Sequence, residues 1–147
     1  MNNTKICYAS NQDVDDISGL LASEELPTHD IKEYMSNFFV AKDGERLVGT
    51  IGLERYGSSG LLRSLCVHEA YRHKGVGSEL VNHIISLAQL NHISELYLLT
   101  LTAENFFKNK GFNVVLRESA PELVKASKEF STICPDDASC LYLRLDG

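Results

Sequence analysis

From position 72 to position 78 the chain reads Arg-His-Lys-Gly-Val-Gly-Ser. The turn follows an apolar run over residues 61–67 and precedes a segment of helical spacing. Glycine lets a phosphate approach the backbone, and a helix start offers unpaired N–H groups with roughly half a positive charge. Arg72 and Lys74 add whole charges, so the composition suits an anion cradle. The same residues also make an ordinary helix start with solvated bases, and the turn alone does not separate the two readings. It is not a P-loop, whose glycine and Lys-Ser/Thr spacing is absent, and Leu80 stands where a dinucleotide fingerprint has its third glycine or alanine.

The rest of the chain limits what such a turn can serve. A length of 147 residues leaves room for one cored domain, and with no repeat or linker in the sequence we expect a single domain over residues 1–147. A formal net charge of −6 argues against a nucleic-acid partner. No apolar run approaches the roughly 18 residues of a membrane span. The start MNNTKICYASNQD lacks the basic-then-apolar order of a signal peptide. The expected location is therefore the cytoplasm, with no membrane partner. Cys7, Cys66, Cys134 and Cys140 form no CxxC pair and have no His at zinc-ligand spacing, so they read as free thiols and no metal site is expected.

Periodicity gives the elements that must position the turn. Residues 5–9 read as a strand, and Asn11 as the cap of a helix through about Ser23, with Val14, Ile17, Leu20 and Leu21 on its buried face. Residues 27–37 read as a short helix. Three antiparallel strands follow over residues 38–67, separated by Asp43-Gly44 and by residues 57–60. Beyond Gly77, the residues Leu80, Val81, Ile84, Ile85, Leu87 and Ala88 form a helical stripe, with His83 facing solvent. ELYLLT reads as a deep strand, Thr102 as the cap of a short helix stopped by Gly111, NVVL as a strand, the segment after Pro121 as a helix, and CLYLRL as a closing strand. This order predicts an α/β fold: a mixed, mostly antiparallel sheet of about six to seven strands with helices on both faces.

The turn then matches a known pattern. R-x-x-G-x-G between a strand and a long helix resembles the acetyl-coenzyme A pyrophosphate loop of the GCN5-related N-acetyltransferases (GNAT). AENFFKNKGF, at residues 103–112, resembles the same family's A-x-x-F-Y-x-x-x-G-F segment. Two motifs in order carry the resemblance over roughly residues 5–116. Within the family, GLERYGSSGLLRSLCV and the tail SKEFSTICPDDASCLYL look most like acetyltransferases associated with arsenic resistance. The resemblance implies splayed strands that hold acetyl-CoA as co-substrate. Its arm would pair with the backbone of Leu65, Cys66 and Val67, and an amide of Leu65 or Val67 would face the oxyanion. The pyrophosphate would rest on Arg72, His73, Lys74, Gly75, Val76, Gly77 and Ser78, with Thr100 and Phe107 at the cofactor's other side. The Cys66 thiol reads as a packed side chain.

Two departures matter. The family often has Tyr, as acid for the departing thiolate, where this chain has Phe107, and often Asn where it has Thr100. The attacking amine must also lose a proton. If residues 57–60 form a four-residue loop, Tyr56 faces Leu61 and Glu54 falls opposite Arg63, on the face shared by Val48, Thr50, Gly52 and Tyr56. Glu54 can then take the amine's proton while Arg63 grips an anionic substrate group, or the two can be a salt bridge that sets register. Glu24, Glu25 and Asp30 are further candidates. Cys134 and Cys140 raise a separate idea of trivalent arsenic binding. The expected activity is N-acetylation of a small-molecule amine, arsenic-containing and phosphinic amino acids among the candidates, by a monomer or homodimer. The alternative is a non-catalytic acyl-CoA or metalloid-binding sensor.

Overall fold

The computed structural model describes residues 4–24, 26, 28, 31, 37–127, 130 and 138–145. Seven strands form one mixed sheet: β1 (Thr4–Tyr8), β2 (Phe38–Asp43), β3 (Arg46–Tyr56), β4 (Ser59–Val67), β5 (Glu95–Thr100), β6 (Asn113–Val115) and β7 (Ser139–Arg144). Their order is β1-β2-β3-β4-β5-β7-β6. The helices are α1 (Val14–Ser23), α2 (Val76–Leu90), α3 (Glu104–Lys108) and α4 (Glu122–Lys125). This is the α/β architecture that the alternation of elements predicts. Packing divides the chain into two compact units, Met1–Leu53 with Ser64–Ser86, and Glu54–Arg63 with Leu87–Gly147.

In the first unit β2 pairs antiparallel with β1 and with β3, and a bulge shifts the β2–β3 register between Ala41 and Lys42. Side chains alternate along β2 as a pleated strand requires. Phe38 and Val40 join Ile17, Leu20 and Leu21 of α1 in one apolar cluster with Leu47 and Cys66. On the other face Phe39 meets the His83 ring of α2 at 4.8 Å. His83 is therefore half-buried against an aromatic ring instead of facing solvent. The helical stripe is otherwise as the spacing predicts: Leu80, Val81 and Ile84 are buried.

Gly49 sets how closely α2 approaches. A Cβ there would lie 3.0 Å from Leu80 Cδ1 and 3.2 Å from Val76 Cγ1. Because Val76 opens α2, a hydrogen at position 49 fixes the height of the helix N-terminus above the sheet. The start of α1 also differs from expectation. Asp13, not Asn11, holds the N-cap position of α1, and Ser10 caps the 3₁₀ turn Asn11–Asp13 before it: the Asp13 carboxylate accepts from the Ser10 amide at 2.8 Å in a capping box. Asp13 further pairs with Lys42 at 2.9 Å.

In the second unit β5 pairs parallel with β4 from Ser59↔Glu95 to Leu61↔Tyr97 and antiparallel with β7 along its whole length. Interior placement explains its near-continuous apolar sequence, and Leu96, Tyr97 and Leu98 are buried. Leu61, Tyr97, Ala120, Val124, Phe130 and Cys140 form the core here. The C-terminal end of α2 is closed by His92 at φ +62 and by Arg55, whose Nη1 donates to the Asn91 carbonyl at 2.8 Å. The α3 cap is Ala103, not Thr102; the Thr100 hydroxyl accepts its N–H at 3.0 Å. The helix after Pro121 is short, Glu122–Lys125. The helix expected over residues 27–37 falls mostly outside the described residues.

Candidate active site

β4 delivers the candidate cofactor strand. Leu65 and Val67 are half-buried and flank the buried Cys66. Just before them Ser64 sits at φ +57, a left-handed residue inside a strand, which re-aims the last residues of β4 much as a bulge does. The Cys66 thiol donates to the Leu20 carbonyl at 3.6 Å, and burial pushes its pKa up to about 11. It is a packed side chain, poorly suited to nucleophilic chemistry.

The turn after β4 departs from ordinary backbone geometry at two residues. His73 and Gly75 are both left-handed, at φ +64 and +84. Arg72, just before them, is extended. The Gly75 carbonyl accepts the Glu79 N–H at 3.0 Å, so Gly75 begins the helix and the amides of its first turn stay clear of that ladder. A Cβ on Gly75 would meet no atom within 4 Å, so that side of the turn is open space. Val76 is buried, Gly77 and Ser78 half-buried, and His73 and Lys74 exposed. Lys74 Nζ lies 5.6 Å from the centre of the Tyr71 ring. Arg72 bonds the Glu24 carboxylate at 2.6 Å, and its Nε donates to the Val67 carbonyl at 3.2 Å. The sequence singled out Glu24 as a further candidate base; in the structure it is the partner of the motif's arginine. Glu25, His29, Asp30 and Cys134 lie outside the described residues.

Near this turn a cleft of about 560 Å³ is lined by Asp15, Asp16, Glu24, Glu45 and Glu69, with Arg46 and His68. Its carboxylates favour a cation and would repel a phosphate.

The second unit holds the other candidates. The structure brings Glu54 and Arg63 together by a different hairpin. β3 runs to Tyr56 and β4 starts at Ser59, so the connection is Gly57-Ser58, with Gly57 at φ +66, and not a four-residue loop. Shortening it by two residues preserves side-chain parity, which is why the same face results. Arg63 Nη1 donates to Glu54 Oε2 at 2.8 Å. The Tyr56 hydroxyl donates to Glu54 Oε1. Glu54 is 2% and Arg63 3% exposed. Tyr56 was visible in the sequence as a neighbour of the same parity, but nothing there marked its hydroxyl. Phe107 is buried between Phe106 and Phe112, ring centres 5.1 and 5.4 Å away. Thr100 lies at the end of β5. Among the described residues no three His, Cys, Asp or Glu side chains cluster as metal ligands, and no helix is long and apolar enough to cross a membrane.

Residues 35–114 match the family model of the acetyltransferase (GNAT) domain. This chain belongs to the GNAT acetyltransferase family. As a GNAT protein it is an acyltransferase, and it is 30% identical over 111 residues to an uncharacterized N-acetyltransferase of Chlorobaculum tepidum, covering 75% of this chain and 69% of that one. The GNAT fold is shared with N-acetylglutamate synthase of Neisseria gonorrhoeae, solved with coenzyme A and N-acetyl-glutamate, at a TM-score of 0.87 and 22% identity. The match covers 100% of this chain but 36% of that one, so this chain spans about a third of the synthase. The ribosomal-protein-S18-alanine N-acetyltransferase of Escherichia coli matches at a TM-score of 0.75 and 16% identity, over 98% of this chain and 95% of that one.

Proposed function

We propose that this chain is a single N-acetyltransferase domain, over residues 1–147, that moves the acetyl group of acetyl-CoA to the primary amine of a small molecule. The observation that carries the reading is the left-handed turn at His73 and Gly75, open on its Gly75 side and leading into the first turn of a 15-residue helix. Its shape and its amides suit a pyrophosphate. His73, Lys74, Gly75, Val76, Gly77 and Ser78 would hold that group through backbone N–H, with Arg72 tethered to Glu24 beside them. Leu65, Cys66 and Val67 lie downstream of the last β4–β5 register pair, so in this reading their backbone receives the cofactor arm as a partial strand, and an amide of Leu65 or Val67 faces the developing oxyanion. Thr100 would complete the cofactor contacts; Phe107, 3% exposed between Phe106 and Phe112, would support them from within the core.

When bound, the cofactor supplies an acetyl thioester activated for transfer. The chain's own task is to orient the amine and remove its proton. We assign the proton to Glu54, with Arg63 Nη1 fixing the carboxylate; the Arg63 side chain is 0% exposed, which leaves it no open surface for a substrate anion. The resemblance of the β3–β4 segment and the tail makes arsenic-containing and phosphinic amino acids the first acceptors to try. In this reading the protein works in the cytoplasm as a monomer or homodimer.

Acetyl-CoA should raise the melting temperature, since a ligand held by the native state alone stabilises it by about 2.7 kcal/mol at 100 times its dissociation constant. Gly75→Val and Gly77→Val should abolish the shift by filling the phosphate's place. An intact shift in both variants would rule out the cradle. Thiol release would be followed over amino acids, their arsenic and phosphinic analogues, polyamines and aminoglycosides. Bound cofactor with no release for any of these amines would refute transfer.

A further inference from the structure

We infer that Tyr56 is the proton port of Glu54: its phenol takes the proton from the substrate amine while passing its own to the carboxylate. The inference rests on the acetyltransferase reading above and adds a catalytic residue to it. Glu54 is 2% exposed, and each of its oxygens already accepts a hydrogen bond, Oε1 from Tyr56 and Oε2 from Arg63. An arginine has no acceptor atom and does not give up its proton in a protein, so the Arg63 side is closed to proton traffic. A phenol both donates and accepts. Tyr56 is half-buried where Glu54 and Arg63 are buried, so of these three residues it is the most exposed.

The step balances without any further reagent. An N–H bond of the ammonium form breaks as an O–H bond forms on the Tyr56 oxygen. The original Tyr56 O–H bond breaks as one forms on Glu54 Oε1. The products are a neutral amine, an unchanged phenol and a protonated Glu54, which discharges to water by the reverse path. Strand geometry makes the pairing durable. Tyr56 and Glu54 are two apart on β3 and share a face, while Arg63 comes from β4 across a two-residue turn.

The test compares a strongly basic acceptor amine, protonated at neutral pH, with a weakly basic one that is already neutral. Tyr56→Phe keeps the ring and removes the relay. Its kcat should fall about 100-fold on the basic amine and by less than about threefold on the neutral one, with KM for acetyl-CoA unchanged. Glu54→Gln should show the same split, and the double variant should be no slower than either single one. A structural role for Tyr56 predicts equal losses on both amines, and that result would overturn the inference. So would wild-type kcat on the basic amine. Should Tyr56→Phe not fold, 3-fluorotyrosine at position 56 alters phenol acidity with little change of shape. A several-fold rate change confined to the basic amine supports the relay, and no change refutes it. Wild-type thiol release combined with an unaffected Tyr56→Phe sinks the relay alone. Absence of release in the wild type with every amine sinks the parent reading and the relay with it.

Discussion

Replacing Gly49 by alanine should loosen both the fold and the cofactor site, because one Cβ is added where α2 is closest to the sheet. That atom would stand 3.0 Å from Leu80 Cδ1, 3.2 Å from Val76 Cγ1 and 3.4 Å from the Ala41 Cβ. Carbon atoms prefer about 3.5–4.0 Å. The neighbours have little room to yield, since Leu80 is 0% and Val76 1% exposed. Overpacking of this kind costs about 1–3 kcal/mol, and the stiffer unfolded chain returns about 0.4–1 kcal/mol. The net loss should be about 0–2.6 kcal/mol, and at its centre near 1.3 kcal/mol roughly 3–5 °C in melting temperature. Relief by a few tenths of an ångström displaces Val76, and with it the first turn of α2. Amides that shift together should grip the pyrophosphate less well, so the acetyl-CoA dissociation constant should rise. Denaturant titration and calorimetric binding measure the two effects. Leu80→Val in the Gly49→Ala background removes the nearest contact, so the pair should be at least about 0.5 kcal/mol less damaging than the sum of the singles. Stability within about 0.3 kcal/mol of wild type together with unaltered binding, or strictly additive costs, would refute the packing argument.

Other expectations follow from single sites. Asp13 is held below its ordinary value of 3.8: burial alone would raise it, but the Ser10 amide and the Lys42 hydrogen bond and charge outweigh that. Its folded pKa lies below the unfolded one, so its contribution is fully present above pH 3.8 and is lost as pH falls through the folded value. Asp13→Asn should therefore cost about 1–2 kcal/mol at pH 7 and progressively less in acid, as read by urea titrations across pH. Phe107→Tyr should not gain activity; a hydroxyl pressed into the Phe106–Phe112 contact should cost about 1–3 kcal/mol, and Phe107→Ala about 3–5 kcal/mol, measured as shifts of the denaturation midpoint. A stable and fully active Phe107→Ala would break the alignment of this segment with the family motif.

Local pattern was enough for the element order among the described residues and for the glycine turn, because periodicity and backbone permissiveness are properties of short stretches. The stripe on α2, the deep strand ELYLLT and the R-x-x-G-x-G spacing are all written within a few residues of one another. Parity also survived a wrong turn length: the hairpin at Gly57-Ser58 is two residues shorter than the sequence suggests, yet Glu54 and Arg63 still share a face, since a shift of two restores the same side of a strand. The features that the sequence withheld depend on residues far apart in the chain. Glu24 holding Arg72, Phe39 covering His83 and Gly49 seating Val76 and Leu80 are contacts across long separations that no local pattern encodes. Hydrogen-bond direction is equally invisible in one dimension. Tyr56 and Glu54 read as neighbours on a strand; only the tertiary structure shows the phenol donating to a buried carboxylate whose second oxygen is taken by Arg63.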